Sequence, residues 1–527
     1  MTFTIHPDLK ALTLETQDPW LVLQKVPTAF QLGPTTVGMP HGIDETLRLA
    51  TYLKLDPPAP IESYYHWPRE RTLVPEPFAH QPITAGFLTM NPHAYCLNGI
   101  GTGKTLTAAW AADYLMSAGA ARRTIIGAPL SALERAWADT LFYHFPHRKF
   151  VVLHGSAERR KRLLAQPWDF AIINHEGFGV IEKELTIRDD IDCWIIDELA
   201  EYRNSNTQGW KSLNRILYPI GRPARPWVWG MTGAPRPQAP TDAYGQCKLV
   251  TPTTVPKYFS SFRNQVMSHE SIYVWVERPE ANKIVYDVMR PAIRYKRDDC
   301  LDLPGEIYST RDVVLSSEQT KHYKEINREL YTEVKGGGRI SAVNEGVKRS
   351  KLLQIACGVV YDTHGAPHEI DAGSRVEELL KLIEQCDEKV IVFVPFTEVT
   401  NMLHREIVKH WSCAVVYGEV PKKERDQIFG DFQAKPDPSV LVAHPQCMAH
   451  ALTLTEASTI IWYAPIDSNK DYEQANGRIT RAGQKYVANI INLAGSAIER
   501  KMYKRLEARQ STQGVLMEMV EKGEQLL

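Results

Sequence analysis

The chain has 527 residues, 43% hydrophobic and 23% charged, with a formal net charge of −1. At the usual ~100–200 residues per domain it has room for about three domains, and its composition is that of an ordinary globular protein. The near-zero charge excludes a uniformly basic nucleic-acid coat, though not a local basic groove, and no apolar run approaches the roughly 18 residues of a membrane span. The opening MTFTIHPDLK lacks a basic region followed by an apolar core, so it does not read as a secretory signal. No membrane partner and a cytoplasmic location are expected. None of the eight cysteines (96, 193, 247, 300, 357, 386, 413, 447) lies within four residues of another, so zinc-type spacing is absent and buried reduced thiols are expected.

Residues 1–72 are rich in Pro, Gly and aromatics, as in LGPTTVGMP, LDPPAPIES and YYHWPRERT, and only IDETLRLATYLKL reads as helical. They predict a small α+β accessory module. Its end, ESYYHWPRERT, mixes rings with basic groups. That suits nucleic acid, and it equally suits an aromatic core patch beside a linker.

From about residue 75, short apolar runs alternate with amphipathic stretches. AYCL, TIIGAP, KFVVLHG, FAIINH, CWIIDE and WVWGMTG read as strands, and ALERAWADTLFYHF as a helix. Repeated β-α units imply a parallel sheet covered by helices. Residues 310–360 read as mainly helical, with KGGGR at 335–339 as a break. The β-α pattern returns in KVIVFVPF, CAVVYG, SVLVAHP, TIIWYAP and VANIINLAG, a second α/β domain of similar size. The basic clusters ERRKR (158–162) and VKRSK (347–351) read as solvated helix faces.

Between the first strand and helix lies LNGIGTGKT, residues 97–105. The strict G-x-x-x-x-G-K-[ST] pattern wants glycine where Asn98 stands. Gly99, Gly101 and Gly103 still permit a curl of inward-pointing amides. Lys104 opens the following helix, so a phosphate would meet its ammonium and the helix N-terminus together, and Thr105 offers a hydroxyl to Mg²⁺. CWIIDELA ends a strand in adjacent carboxylates. Asp197 suits a cation held largely through water, and Glu198 suits orienting and deprotonating the attacking water. Late in the chain, QANGRITRAGQ places Gln474, Arg478 and Arg481 at i, i+4 and i+7, which predicts one helical face. Arginines on a second domain can stabilise phosphoryl transfer only when that domain closes.

The order of these segments resembles the Swi/Snf remodelling ATPases, a family of superfamily-two nucleic-acid translocases, over roughly residues 75–510. FAHQPITAGFL is similar to the glutamine motif, which implies that Gln81 reads adenine. LNGIGTGKT fits the superfamily's looser loop, with Gly101, Thr102, Gly103, Lys104 and Thr105 at the phosphates. APLSALERAW and IINHEGF resemble loops that touch nucleic-acid backbone, IIDELAEYRNSNTQGWKSL the D-E-x-H stretch, and MTGAPRP motif III through Thr232, Gly233 and Pro235. RPAIRYKRDDCLDLP and KLLQIACG are similar to the segments that follow. In the second domain IVFVPFTEV resembles motif IV, YGEVPKKERDQIFGDFQ matches through Gly418, Arg425 and Phe432, QANGRITRAGQ resembles motif VI, and SAIERKMYKRL the stretch after it.

The resemblance implies two RecA-like parallel-sheet domains in tandem behind a small α+β N-terminal module. The expected organisation is 1–72 accessory module, a candidate for recognising DNA structure; 73–305 domain 1; 306–372 helical linker or protrusion; and 373–527 domain 2 with a C-terminal helix. ATP and Mg²⁺ are the implied cofactors. The implied partner is DNA, duplex or branched, bound without regard to sequence at Pro129, Ser131, Asn174, His175, Phe396, Thr397, His444 and Thr453, positions after strand ends. The implied role is ATP-driven translocation in replication, recombination or repair. The alternatives are a strand-separating DNA or RNA helicase and a non-hydrolysing ATP-binding interaction protein. Compactness and short inserts resemble bacteriophage-encoded members, which would act in the host cytoplasm. Two departures stand out: Ala200 replaces the histidine of DEAH-type members, and CMAHALTLT (447–455) replaces a glycine-rich motif V.

Overall fold

The computed structural model describes residues 2–506 except 73, 75, 234, 237–238, 272–273, 297–299, 301–303, 330, 334–338, 342–344, 449–452 and 482. Most of KGGGR and the centre of the altered motif V, with Ala449 and Ala451, therefore lie outside the described residues, as does the chain after 506. Two compact units divide between Leu301 and Asp302.

The first unit opens with an antiparallel sheet of β1 (Thr2–His6), β2 (Ala11–Glu15), β3 (Phe30–Gln31) and β4 (Thr36–Pro40), ordered β1-β2-β4-β3. Helices α1 (Pro19–Lys25) and α2 (Ile43–Leu53) accompany it. Leu12, Leu14, Val22, Val37, Met39 and Leu49 form its separate small core. After the short helix α3 (Pro60–Tyr64) the chain joins the core of the next domain. Tyr65 hydroxyl donates to Asp113 at 2.5 Å, Trp67 packs edge-on to Trp110 at 5.4 Å, and Trp110 Nε1 donates to the Pro68 carbonyl. For Tyr65 and Trp67, the aromatic stretch is thus a core patch that fastens the N-terminal module to domain 1.

Domain 1 is a parallel sheet of β5 (His93–Cys96), β6 (Thr124–Ala128), β7 (Phe150–Leu153), β8 (Phe170–Asn174), β9 (Cys193–Asp197) and β10 (Trp227–Met231). A hairpin, β11 (Met267–Ser271) with β12 (Val274–Glu277), follows, and then the short β13 (Ala292–Ile293). The sheet order is β13-β5-β10-β9-β6-β8-β7. Its strands read as unbroken apolar runs because both faces are covered. Trp194 and Ile196 enter one core while Cys193 and Ile195 enter the other, the period-two alternation of a strand.

The second unit begins with β14 (Glu306–Asp312), which pairs in parallel along the edge of that unit's sheet. Residues 306–312 are therefore sheet, not helical linker; the pattern hid them because an edge strand keeps exposed polar positions. Helices Ser317–Glu329 and Glu345–Cys357 follow, with hairpins β15 (Tyr331–Glu333)/β16 (Arg339–Ser341) and β17 (Val359–Tyr361)/β18 (Pro367–Glu369). The remaining strands are β19 (Lys389–Phe393), β20 (Cys413–Val416), β21 (Val440–Ala443), β22 (Ala457–Trp462) and β23 (Ala488–Ala494). They order as β14-β23-β22-β19-β21-β20, all parallel. Both predicted parallel-sheet domains are present. At the centre of the second, Arg375 donates to Glu499 at 2.6 Å with both side chains buried, and Glu499 also accepts from the Gly495 and Ser496 amides. The cysteines are all free; four are buried and four half-buried. Among the described residues no helix is long and apolar enough to cross a membrane.

Candidate nucleotide site and nucleic-acid loops

The phosphate loop leaves the carboxyl end of β5 and enters α5 (Lys104–Ser117). Gly101 and Gly103 have φ of 81° and 78°, the left-handed region that glycine adopts without strain. At Gly103 a Cβ would also meet Gln81 Nε2, so a larger residue there would displace the Gln81 side chain. Gln81 is buried on helix α4 (His80–Met90). Its Oε1 accepts from Phe78 N at 2.9 Å, and Nε2 reaches the Thr102 carbonyl at 3.5 Å. His80 Nε2 pairs with the same carbonyl at 2.8 Å.

Asn98 has a structural role that a glycine could not fill. Its Nδ2 donates to Thr84 Oγ1 at 3.0 Å and its Oδ1 accepts from Tyr295 N at 2.9 Å. The loop is further laced to residues 293–295: Leu97 N donates to the Ile293 carbonyl, Gly99 N to that of Tyr295, and Arg294 to that of Leu97. The apparent flaw in the motif is a brace between the glutamine-motif helix and the strand edge beyond β13.

Lys104 Nζ donates to the carbonyls of Asn98 (2.8 Å) and Gly99 (2.9 Å). Burial lowers its pKa, opposed by Cys96, Glu198 and Asp197. β9 neighbours β10, itself paired with β5, so its carboxyl end brings Asp197 and Glu198 into the same region as the loop. Each Asp197 oxygen accepts one N–H: Oδ1 from Glu198 N and Oδ2 from Trp137 Nε1, both at 3.0 Å. Burial, and then the Glu198 charge, push the Asp197 carboxyl up to about 6, against the pull of Trp137 and Lys104. Glu198 sits at φ 51°, ψ 48°, left-handed backbone rare for a glutamate. Ala200 is buried in the turn that follows. Thr232, after β10, donates its N–H to the Cys96 carbonyl, which fixes motif III beside the start of the phosphate loop.

The family profile described as "SNF2-related domain" matches residues 97–359, and that described as "Helicase conserved C-terminal domain" matches 374–483. The chain belongs to the Snf2 family of superfamily-two helicase-like proteins. It is 21% identical over 494 residues to protein p41 of Acyrthosiphon pisum secondary endosymbiont phage 1, covering 86% of this chain and 100% of that one. It is 26% identical over 243 residues to Bacillus subtilis (strain 168) YwqA, whose name describes an ATP-dependent helicase/translocase, covering 42% of this chain and 26% of that protein. With the mouse DNA repair and recombination protein RAD54B, identity is 24% over 206 residues, covering 37% and 23%. The match thus spans all of the phage protein but only about a quarter of the other two. The solved Sulfolobus solfataricus SWI2/SNF2 ATPase core in complex with dsDNA aligns over 84% of this chain and 93% of that one, at 18% identity and a TM-score of 0.41.

The loops expected to meet nucleic acid lie at strand ends within each domain. β6 and β8 are neighbours, so their ends bring Pro129 and Ser131 alongside Asn174 and His175. The Ser131 hydroxyl is buried with no hydrogen-bond partner among the described residues. Asn174 is occupied internally, accepting from Arg160 at 3.0 Å and donating to Glu176 at 2.6 Å. His175 Nδ1 meets the Tyr202 hydroxyl at 3.1 Å, which ties this loop to the turn after Glu198. In domain 2, β19 and β21 are paired. Phe396 precedes the helix Thr397–Ile407, and His444, its pKa lowered by burial, hydrogen-bonds the Pro395 backbone. Thr453 is exposed.

The motif VI segment is not one helix. The helix Asn469–Asn476 ends at Gly477, and Arg478 and Arg481 lie on the turns beyond it. The side-chain bonds of Gln484 to the Ala457 and Ile479 carbonyls close those turns. Gln474 and Arg478 are buried. Arg481 donates through Nε to the Gly477 carbonyl at 3.1 Å and lies 3.4 Å from Thr453 Oγ1, so motifs V and VI meet through these two residues. Burial lowers its guanidinium to about 10, still cationic at neutral pH.

Sequence reasoning did not find the parts played by Trp137, Thr84, Arg294 and Tyr295. Their partners lie 14 to 197 residues away, and no local spacing signals such a pair.

Proposed function

We propose that this chain is a DNA-stimulated ATPase that tracks along duplex or branched DNA without reading sequence, in replication, recombination or repair. The observation that carries the reading is the arrangement of Lys104 and Thr105 after β5 and of Asp197 and Glu198 at the carboxyl end of β9, the two strands that flank β10, with Gly101 and Gly103 in the left-handed conformation that lets a loop wrap a phosphate. In this reading Lys104 exchanges its carbonyl partners for the phosphates of ATP. Glu198 orients and deprotonates the attacking water, and Gln81 sets the adenine end. Arg478 and Arg481, with Gln474, are domain 2's contribution when it closes on nucleotide.

The donor set suits Mg²⁺. Asp197 and Thr105 are the residues that would hold it. Asp197 and Thr105 offer a carboxylate and a hydroxyl, the hard oxygen donors that Mg²⁺ takes, and Glu198 places a second negative charge beside Asp197. When bound, Mg²⁺ draws charge from the transferring phosphate. Backbone contact through Pro129, Ser131, Asn174, His175, Phe396, Thr397, His444 and Thr453 accounts for sequence-independent movement. The names of the Bacillus and mouse relatives point the same way.

The test is ATP turnover with single-stranded, duplex and forked DNA and with RNA, repeated for Lys104→Ala and Glu198→Gln. Turnover should rise with DNA and vanish in both variants, with Glu198→Gln retaining bound ATP. Stimulation by RNA alone would assign the chain to RNA. Unchanged turnover in the variants would remove the mechanism.

A further inference from the structure

Trp137 is completely buried and lies 60 residues from Asp197 in sequence, yet its indole N–H is bonded to that carboxylate. The helical stretch that carries it is unusual. It starts as a π-helix, Leu133–Ala138, in which Asp139 N reaches back five residues to the Glu134 carbonyl, and continues as the α-helix Asp139–His144. π-turns hold one residue more per bond than the α-helix, are rare, and are frequent at functional sites. This one begins directly after the loop of Pro129 and Ser131, where the Ala132 amide bonds the Pro129 carbonyl. The same loop contains the Ser131 hydroxyl, buried and without a partner among the described residues. A buried hydroxyl left unmet is destabilising, a deficit that a phosphate or a small loop movement would remove.

We infer that Trp137 is a positioning residue that makes the nucleic-acid loop and the Asp197 carboxylate mutually dependent. A phosphate bound at the Ser131 loop shifts the π-turn, the turn carries the indole, and the indole N–H re-aims Asp197 Oδ2. Because Oδ1 is held by the Glu198 amide, the carboxylate has two anchors, one fixed to β9 and one fixed to the loop. Moving the second turns the carboxylate about the first. Coupling of this kind is reciprocal: whatever nucleic acid does to nucleotide affinity, nucleotide does to nucleic-acid affinity by the same factor. The inference rests on the DNA-stimulated ATPase reading above.

Trp137→Phe keeps the ring in the core and removes only the donor. The measurement is the affinity of a fluorescent ADP, with Mg²⁺, in the absence and presence of saturating duplex DNA, for the wild-type chain and the variant. The wild type should show a ratio of about 5-fold or more, the lower end of ordinary allosteric coupling. Trp137→Phe should bring that ratio within about 2-fold of unity, and the ratio for DNA affinity with and without nucleotide should collapse equally. A variant ratio equal to wild type overturns the inference. A wild type with no DNA effect on either nucleotide affinity or turnover overturns the proposed function instead. Hydrogen exchange of the wild-type chain keeps the test independent of whether the variant folds. Mg²⁺–ADP alone should change exchange at the amides of residues 132–140, and no change there also overturns the inference.

Discussion

Glu198 occupies a backbone conformation that opposes stability, and its replacement separates that effect from catalysis. At φ 51° and ψ 48° the residue is in the left-handed region, which costs an ordinary L-residue roughly 1–2 kcal/mol and which asparagine tolerates. Glu198→Gln and Glu198→Asn remove the same negative charge from beside Asp197 and leave a neutral amide in each case. They differ in how well each residue accepts the left-handed backbone. Glutamine keeps the backbone cost; asparagine relieves about 1 kcal/mol of it. Glycine relieves it too, but returns about 0.5–1 kcal/mol through the greater freedom of the unfolded chain. At roughly 2–4 °C per kcal/mol for a unit of 150–250 residues, and less for a larger one, Glu198→Asn should melt about 2 °C above Glu198→Gln. Thermal melts and urea midpoints of the two variants, side by side, measure the difference. Neither should turn over ATP. An asparagine variant no more stable than the glutamine variant would falsify the claim that the site stores backbone strain, and turnover in either would remove Glu198 from the mechanism.

Asn98→Gly restores the strict loop pattern and should harm the protein. It strands Tyr295 N–H and Thr84 Oγ1, costing about 1–3 kcal/mol and weakening ATP binding; a gain in either stability or affinity contradicts the brace. Glu499→Gln leaves the Arg375 guanidinium buried without its charge partner and should cost about 3–5 kcal/mol in a denaturant titration, whereas a loss under 1 kcal/mol would mean that the neighbouring carbonyls suffice. Burial lowers His41, His80 and His144 from their ordinary 6.5, and the Glu70 amide donates to His144 Nδ1. The unfolded chain therefore binds protons that the folded first unit refuses. The stability from these three is fully present above pH 6.5 and is lost as pH falls through the lowered values. Melts from pH 8 to 5 should be level at first and then decline, and a rise on acidification would reverse the sign.

How much of the site was legible depended on whether its partners are near in sequence. Lys104 follows Gly103 and opens a helix, and Asp197 and Glu198 end an apolar run, so their chemistry shows in a few adjacent letters. QANGRITRAGQ showed the opposite. Its spacing predicts one helical face, but Gly477 ends the helix and the arginines project from turns closed by Gln484. The aromatic stretch after residue 62 was ambiguous until Asp113, 48 residues on from Tyr65, supplied its partner.

The two parallel sheets and the phosphate loop are legible in short stretches of residues. Strands buried on both faces must be continuously apolar, and a loop that wraps phosphate must have glycine at left-handed positions; both requirements are local. That Asn98 is a brace, that β13 and β14 are sheet edges, and that Trp137 grips Asp197 emerge only in the folded chain. Each of these depends on hydrogen bonds between segments far apart in the chain, and such a bond leaves no periodicity in either segment.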